Sequence, residues 1–434
     1  MSGKTVSGLA LPIMISVLAD SLLSLVALSV VSRLSTAAVA ATGLASYLFF
    51  LVNALSTVFT GGLMVVASQA IGAGDPETAG RATGETILLS ILSALVTLAT
   101  AVAWLPGYLA AVSAGNQEVV RLALEYAQAR LLSLPALMVN VSLSAAYRSA
   151  DNPWPSAYSS IISVSTGSLL IPALTLGAPG LQAMGLRGAG LATSLASYAG
   201  LSAYAVWRPP FRISLAFPSA LSLKVLVLGA PTALERFVAS VAQNIYINAV
   251  ARGGEVALAA HNIGITVESL VIQPSFAVSL AALVRAGQNV GAASIEEAER
   301  SLKEGVKIGV LWMGAAALVL ALISPLVGHL FTDDPEVARM VQIYLILAAA
   351  SEVGLGASSA IYGAVRGMGS VWLPLAISSF TVVFLRAIPA QILASRFGAV
   401  GAWATQNTDM YGRALLALLA WKLLGPRRLA KKVV

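Results

Sequence analysis

The chain has 434 residues, of which 58% are apolar and only 10% are charged, and its mean hydropathy is +0.84. About a quarter of the residues of a soluble domain are charged, so a soluble globular fold is excluded and lipid must be the main solvent. The net charge of +7 does not indicate nucleic-acid binding, because the basic residues lie in short loops and at the C-terminus, as expected beside a negatively charged cytoplasmic leaflet. The absence of cysteine excludes disulfides, iron–sulfur clusters and thiolate zinc sites.

Long apolar runs follow one another along the whole chain. A chain in lipid must hydrogen-bond its backbone internally, which leaves helices or a closed barrel, and these runs are too continuous for barrel strands. The sequence therefore predicts an all-α integral membrane fold without a cleavable signal peptide. We predict twelve transmembrane helices, at residues 8–32, 38–71, 85–112, 118–147, 154–178, 185–207, 222–250, 255–290, 301–331, 336–366, 371–395 and 398–423.

The basic residues of the loops predict the orientation of the chain. With the N-terminus inside, sixteen Lys and Arg residues fall on the cytoplasmic side, Lys4 and Arg208 among them, and six fall on the other side. Both termini are therefore expected in the cytoplasm, and Arg148 and Arg366 are expected to be loop anchors of this topology. The longest connection is rich in proline and arginine. We divide the chain into an N-lobe at 1–207, a cytoplasmic linker at 208–224 and a C-lobe with a basic tail at 225–434.

The two halves of the sequence repeat each other at a nearly constant shift. Pro12 corresponds to Pro231, and the segment that begins at Gln69 corresponds to the segment that begins at Gln288. Further matched pairs are Glu77 and Glu296, Arg81 and Arg300, Pro106 and Pro325, and Trp154 and Trp372. Because six spans are an even number, both halves enter from the same side and form parallel repeats, an arrangement typical of transporters.

At these residues the chain resembles the multidrug and toxic compound extrusion (MATE) family, over about residues 8–420. The motifs that carry the resemblance are Leu11-Pro12, Ala37–Ala41, Gln69–Asp75, Val284–Ala292, Val365–Gly369 and Gly401-Ala402-Trp403. The resemblance implies a V-shaped pair of six-helix lobes that exports small organic compounds, often cationic, by alternating access driven by an inward H⁺ or Na⁺ gradient. It implies a monomer in the cell membrane, in contact with membrane lipids, that is not an enzyme and has no cofactor besides the coupling ion.

The N-lobe carboxylates of many prokaryotic MATE proteins are missing from this chain. The family aspartate of the first span falls on Ala27, and an Asn/Asp pair of the fifth span falls near Ser163 and Gly167. The proton site of those members therefore cannot be transferred to this sequence.

Acidic residues near the bilayer centre are the candidate coupling groups, because burying a charge there costs at least about 2.5–3.5 kcal/mol. Four carboxylates are predicted near mid-depth: Asp20, Glu235, Glu268 and Glu352. Asp20 lies seven residues before Ala27 on the same helix face and is flanked at four residues by Ser16 and Ser24, which suggests a relocated N-lobe group.

In the second half, Glu235 follows Pro231 closely, and some relatives place cation-binding acids in this span and near Glu352. Carboxylate and amide oxygens suit Na⁺, whereas a single carboxyl group that takes up a proton would couple to H⁺. The alternative is structural: Glu235 pairs with an arginine or caps a proline break, and Glu268 and Glu352 are equally open.

Other polar residues are candidates for the substrate cavity: Ser16, Ser24, Asn53, Thr57, Gln243, Asn244 and His261. For Asn53 and Thr57 the alternative is packing between helices, and for His261 it is a hydrogen-bonded packing role rather than a proton relay. Pro12 and Pro231 are expected to be hinges or simple kinks.

Charged residues within the spans are expected to form ion pairs. Asp409 and Arg413 are predicted to form an intrahelical ion pair, and the arginines expected to neutralise buried carboxylates are Arg130, Arg236 and Arg386.

A lipid or lipid-linked saccharide flippase of the same superfamily is the alternative function, although such relatives have extra spans and a strongly basic cavity. A membrane enzyme is disfavoured because the sequence has no paired His-Glu metal motif, nucleophile elbow or P-loop.

Overall fold

The computed structural model describes residues 5–112, 116–207, 209 and 211–434. Lys4 and Arg208, counted above as cytoplasmic charges, lie outside these residues. The described chain is helical, with one isolated bridge between Ala178 and Leu181. Its helices are α1 (Val6–Val31), α2 (Thr36–Gly72), α3 (Pro76–Val112), α4 (Gln117–Leu131), α5 (Leu134–Ser149), α6 (Trp154–Leu176), α7 (Gly185–Val206), α8 (Ala220–Ala251), α9 (Gly254–Val271), α10 (Gln273–Gly291), α11 (Ile295–Phe331), α12 (Pro335–Gly367), α13 (Trp372–Thr381) and α14 (Ile388–Leu429), with a π-helical segment at Val382–Ala387 before α14.

Nine helical segments of the described chain are long and apolar enough to cross a membrane, or ten when the bent pair α4 and α5 is one span. One of them, Trp372–Leu429, has 58 residues and would be about 87 Å long, nearly three times the hydrocarbon thickness. It bends at Gly398, where φ is 61° and ψ is −153°, and so contains predicted spans eleven and twelve. With the 22-residue α7 as span six, the predicted fold of twelve helices is confirmed.

Proline explains the bend in the fourth span. α4 and α5 meet at 46°, and Pro135 lies in the first turn of α5. A proline lacks the backbone N–H and its ring clashes with the preceding turn, so it is accommodated where a helix starts anew.

The sequence repeat is also a structural repeat. α3 and α11 each contain 37 residues. The shift that places Pro12 on Pro231 also places the first and last residues of α3 on the first and last residues of α11. It places Gly72, the last residue of α2, on Gly291, the last residue of α10. The same local sequences therefore start and stop helices at the same places in both halves.

The chain divides into two compact units. The N-unit contains the described residues of 15–67 and 76–229, and its core includes Leu48, Phe59 and Tyr126. Small residues let its helices approach closely, since a Cβ on Gly62 of α2 would meet the carbonyl oxygen of Val225 in α8 at 1.8 Å.

The C-unit contains the described residues up to Met14 together with 68–75 and 230–434. One of its cores is aromatic and includes Tyr246, Tyr344 and Trp403, and a second includes Ile361, Met368 and Trp421. The predicted division into lobes at 1–207 and 225–434, with a linker between them, stays a prediction.

Candidate functional site

A buried polar cluster in the C-unit joins α9, α12 and α14. Tyr344 donates a hydrogen bond from Oη to one carboxylate oxygen of Glu268, and Gln406 donates from Nε2 to the other at 2.6 Å. The same Gln406 nitrogen lies 3.1 Å from the hydroxyl of Ser351. Both oxygens of Glu268 therefore have donors, and the carboxylate is held in one orientation.

Glu352 lies next to Ser351 in α12 and is fully buried. Neither of its carboxylate oxygens has a hydrogen-bond partner among the described residues. Gln406 connects this position to Glu268, because its amide bonds both to Glu268 and to Ser351, the neighbour of Glu352. A buried carboxylate without a partner is costly unless it is protonated or binds a cation, and the part of Glu352 in coupling stays a prediction. The sequence prediction named both glutamates, and the structure brings them together.

His261 of α9 is buried among aromatic rings. It packs edge-on against Tyr246 at 5.8 Å and against Tyr344 at 5.2 Å between ring centroids. Its two ring nitrogens have no hydrogen-bond partner within the described part of the chain. The structure therefore supports packing as the role of His261, but without the hydrogen bond that was expected. A role in proton relay or in the substrate cavity stays a prediction.

Two arginines compensate Asp409, the buried acid of α14. Arg413 binds Asp409 through Nε at 2.7 Å and through a terminal nitrogen at 2.8 Å, which confirms the predicted intrahelical pair. Arg386 lies 4.0 Å from the same carboxylate, donates to Gln406 at 3.1 Å and stacks over the ring of Tyr246. Arg386 therefore neutralises a carboxylate as expected and connects Asp409 to the Glu268 cluster.

Glu235 of α8 forms an ion pair with Arg366 at the end of α12. The expectation that Arg366 is only a loop anchor is therefore wrong, because its guanidinium is largely buried and paired with a carboxylate. The structural alternative for Glu235 is supported, and its part in coupling stays a prediction.

Asp20 lies beside a separate polar network in the N-unit. It is exposed on α1, and Ser16, one turn before it, shares a hydrogen bond of 2.9 Å with Ser160 of α6. Arg148 also donates to the hydroxyls of Ser16 and Ser156, in each case at 3.2 Å. The expectation that Arg148 is a loop anchor is wrong, since its side chain is buried between α1 and α6.

The remaining predicted cavity residues mostly bond to their own helices. The hydroxyls of Ser24 and Thr57 contact the backbone oxygens of Asp20 and Asn53, and Asn244 donates to the backbone four residues earlier. The side-chain nitrogen of Gln243 has no partner in the described chain. The contact of these residues with substrate stays a prediction.

The charge of Arg130 is stabilised in a different way from the one expected. Its guanidinium lies 4.1 Å from the ring centre of Phe49 and donates to the hydroxyl of Tyr126 at 2.7 Å. Among the described residues, a cation–π contact and the Tyr126 hydroxyl, rather than a carboxylate, stabilise this charge.

Three residues of the C-unit cluster were not singled out from the sequence: Tyr344, Ser351 and Gln406. Tyr344 and Ser351 are seven residues apart and share a helix face, and Gln406 lies in the polar stretch Thr405–Asp409. The criterion applied to carboxylates, a polar group at mid-depth, would have found them.

Comparison with known proteins follows the same division into halves. The MatE family model matches residues 12–172 and again 231–392. The two matches begin at Pro12 and Pro231, the pair that defines the shift between the repeats in the sequence and between α3 and α11.

The chain is similar over nearly its whole length to proteins from several bacteria. It is 27% identical over 426 residues to the probable multidrug resistance protein NorM of Thermotoga maritima, covering 96% of this chain and 91% of the relative. It is 23% identical over 390 residues to the probable multidrug resistance protein YoeA of Bacillus subtilis, covering 87% and 84%.

Solved structures show the same fold. A MOP superfamily transporter from Pyrococcus furiosus superposes with a TM-score of 0.88 at 21% identity, over 98% of this chain and 96% of that one. The Vibrio cholerae MATE transporter VcmN in its bent form gives 0.85 at 18% identity, over 98% and 96%.

Proposed function

Because this chain belongs to the MATE family of membrane transporters, whose family model matches both of its halves, we propose that it is a secondary exporter of amphipathic, often cationic, organic compounds. Members of the family are not enzymes. The relatives from Thermotoga maritima and Bacillus subtilis, both named as probable multidrug resistance proteins, support this substrate class. We place the protein in the cell membrane as a monomer surrounded by lipid, with both termini in the cytoplasm and with no cofactor besides its coupling ion.

The observation that carries the proposal is the buried Glu268–Glu352 cluster. A coupled exporter needs a group whose occupation by the driving ion changes the relative stability of two conformations. With a cation bound, Glu352 is neutralised and the packing described above is stable. Once the cation leaves, a buried charge remains without a donor, which disfavours this packing. We propose that this difference drives alternating access.

The pattern of donors favours H⁺ over Na⁺ as the coupling ion. Na⁺, like other hard cations, needs several oxygen ligands. Around Glu352, the hydroxyl of Ser351 already donates to a backbone oxygen, and both oxygens of Glu268 accept hydrogen bonds. The Oε1 atom of Gln406 accepts from Arg386. Na⁺ would have to compete with these hydrogen bonds for its ligands, whereas one proton neutralises Glu352 without any further ligand.

Asp20 is a second candidate for ion coupling, in the N-unit. Unlike Glu352, Asp20 is not buried within the described part of the chain, so the packing needs a cation there less than at Glu352. A lipid or lipid-linked saccharide flippase stays the alternative function. It is less well supported, because a flippase of this superfamily would use a strongly basic cavity, whereas the cluster proposed for coupling contains two carboxylates.

Transport by protein in liposomes tests the proposal. We expect a fluorescent organic cation to move when an H⁺ gradient is imposed, and not under a Na⁺ gradient alone. Glu352→Gln should abolish gradient-driven transport while dye binding is retained, because an amide cannot exchange protons. Glu255→Gln is the matched control, since Glu255 is an exposed glutamate of the neighbouring α9.

The outcomes separate the parts of the proposal. Movement under neither gradient contradicts coupled export of such compounds. Movement under Na⁺ alone contradicts the choice of ion, and normal transport by Glu352→Gln contradicts the choice of site.

A further inference from the structure

Glu85 on α3 and Glu304 on α11 occupy equivalent positions in the two repeats. Their helices begin at Pro76 and Ile295, which are themselves a repeat-related pair. Each glutamate is the tenth residue of its helix. Neither belongs to the ion-pair networks of the two units described above.

Glu85 fastens the start of α8. Its buried carboxylate accepts hydrogen bonds from the backbone N–H of Ser219 at 3.1 Å and of Ser222 at 3.2 Å, and from the hydroxyl of Ser219 at 2.7 Å. The first turn of a helix has N–H groups without intrahelical partners, and a negative charge there is favoured by the helix dipole. Glu85 supplies both acceptor and charge.

The chain that leads into α8 is held against α3 as well. A Cβ added to Gly80 would meet the carbonyl oxygen of Arg212 at 2.1 Å, and one added to Gly84 would meet that of Ser214 at 1.9 Å. Because the two backbones approach this closely beside Glu85, the chain that enters α8 is fixed to α3 along its length.

Glu304 makes the corresponding contact in the other half. Its Oε1 atom accepts a hydrogen bond at 3.0 Å from the backbone N–H of Val6, the first residue of α1. The third span of each repeat thus caps the first helix of the other repeat, α3 for α8 and α11 for α1.

The same two helices change units along their length. α1 belongs to the C-unit up to Met14 and to the N-unit after it, whereas α8 belongs to the N-unit up to Gly229 and to the C-unit after it. Pro12 and Pro231 each lie two residues from the point of change. A proline inside a helix removes one backbone hydrogen bond and weakens the helix at that place.

We propose that Glu85 and Glu304 are paired positioning residues. Each holds the first turn of the first helix of the other repeat, α8 or α1, so that bending during transport is confined to the segments around Pro231 and Pro12. A helix that is fixed to one unit at its start and belongs to the other unit beyond must absorb any relative motion between these points. The capping role stands on the contacts alone, and the role in transport rests on the proposed function.

Hydrogen–deuterium exchange of the full-length protein in nanodiscs tests the capping. Glu85→Ala should raise the exchange rate of the Ser222 amide by about tenfold, because this amide loses its acceptor, and should raise that of Ser219 less, because the Ser219 amide also bonds to the hydroxyl of Ser222 at 2.9 Å. Glu304→Ala should do the same at Val6. Unchanged exchange at the Ser222 and Val6 amides contradicts the capping.

Transport in liposomes tests the positioning role. Both alanine variants should lower the maximal rate of dye export without changing its KM, and the double variant should be slower than either. Glu85→Gln keeps one acceptor oxygen and should restore part of the rate. Glu85→Gln also carries the test if Glu85→Ala does not fold. Its amide protection and its export rate should then both be partly reduced relative to the wild-type protein.

The controls are two exposed glutamates that are also repeat-related and lie on the same helices, Glu77 and Glu296. Glu77→Ala and Glu296→Ala should leave exchange and rate unchanged. Faster amide exchange with a normal export rate overturns the positioning role. If the wild-type protein exports no dye, the proposed function fails, and the exchange measurement still decides the capping.

Discussion

Replacing Tyr344 with phenylalanine removes one hydrogen bond from the Glu268 cluster and leaves the aromatic packing intact. The ring of Tyr344 stays between His261 and Trp403, while Glu268 loses the donor to one carboxylate oxygen. Hydrogen bonds to charged groups contribute about 1.5–3 kcal/mol. We therefore expect Tyr344→Phe to lower the free energy of unfolding by about 1.5–3 kcal/mol.

Tyr411→Phe is the matched control. The Tyr411 hydroxyl donates to the backbone oxygen of Ala350 at 2.8 Å, a neutral acceptor on the same α12. Polar hydrogen bonds within membrane proteins average about 0.6 kcal/mol, so the control should lose about that amount. The measurement is equilibrium unfolding in mixed detergent micelles.

A double-mutant cycle with Glu268→Gln isolates the pair. With an amide at position 268, Tyr344→Phe should cost no more than the control, because the charge that strengthens the bond is gone. If Tyr344→Phe costs the same with glutamate and with glutamine, or no more than Tyr411→Phe, the charge-assisted bond to Glu268 is refuted.

Three further predictions concern packing, charge and bending. Gly62→Ala should lower the free energy of unfolding by about 1–3 kcal/mol, because its Cβ would overlap the backbone of Val225, whereas Gly43→Ala, which meets nothing within 4 Å, should not destabilise. Arg148→Gln should cost about 1–3 kcal/mol in the same unfolding assay, because it removes the guanidinium that donates to the buried hydroxyls of Ser16 and Ser156. Pro231→Ala should slow dye export in liposomes while stability is kept or raised, since α8 regains a backbone hydrogen bond, and unchanged export would exclude a hinge there.

The helices and their repetition could be predicted from the sequence because each is a local property. Every span must be apolar and must hydrogen-bond its own backbone, whatever its neighbours are. For the same reason the shift between the two halves of the sequence reappears in the bounds of α3 and α11.

Candidate site residues could be found from the sequence, but their partners could not. Depth in the membrane identified Glu235, Glu268 and Glu352 as costly carboxylates. It could not tell that Glu235 meets Arg366 from a segment 131 residues away, while Glu352 meets no donor in the described chain. Both glutamates interrupt an apolar helix, and the difference lies in which helix packs beside each.

The sequence by itself therefore determined the membrane location, the helices, the repeat and the family of this protein, because composition and periodicity act over one helix at a time. The tertiary structure decided which charges are paired, that Arg148 is buried, and that α1 and α8 begin in one unit and end in the other. Electrostatic interactions and hydrogen bonds depend on distances between side chains that are far apart in the chain. Those distances are set only when the helices pack against one another.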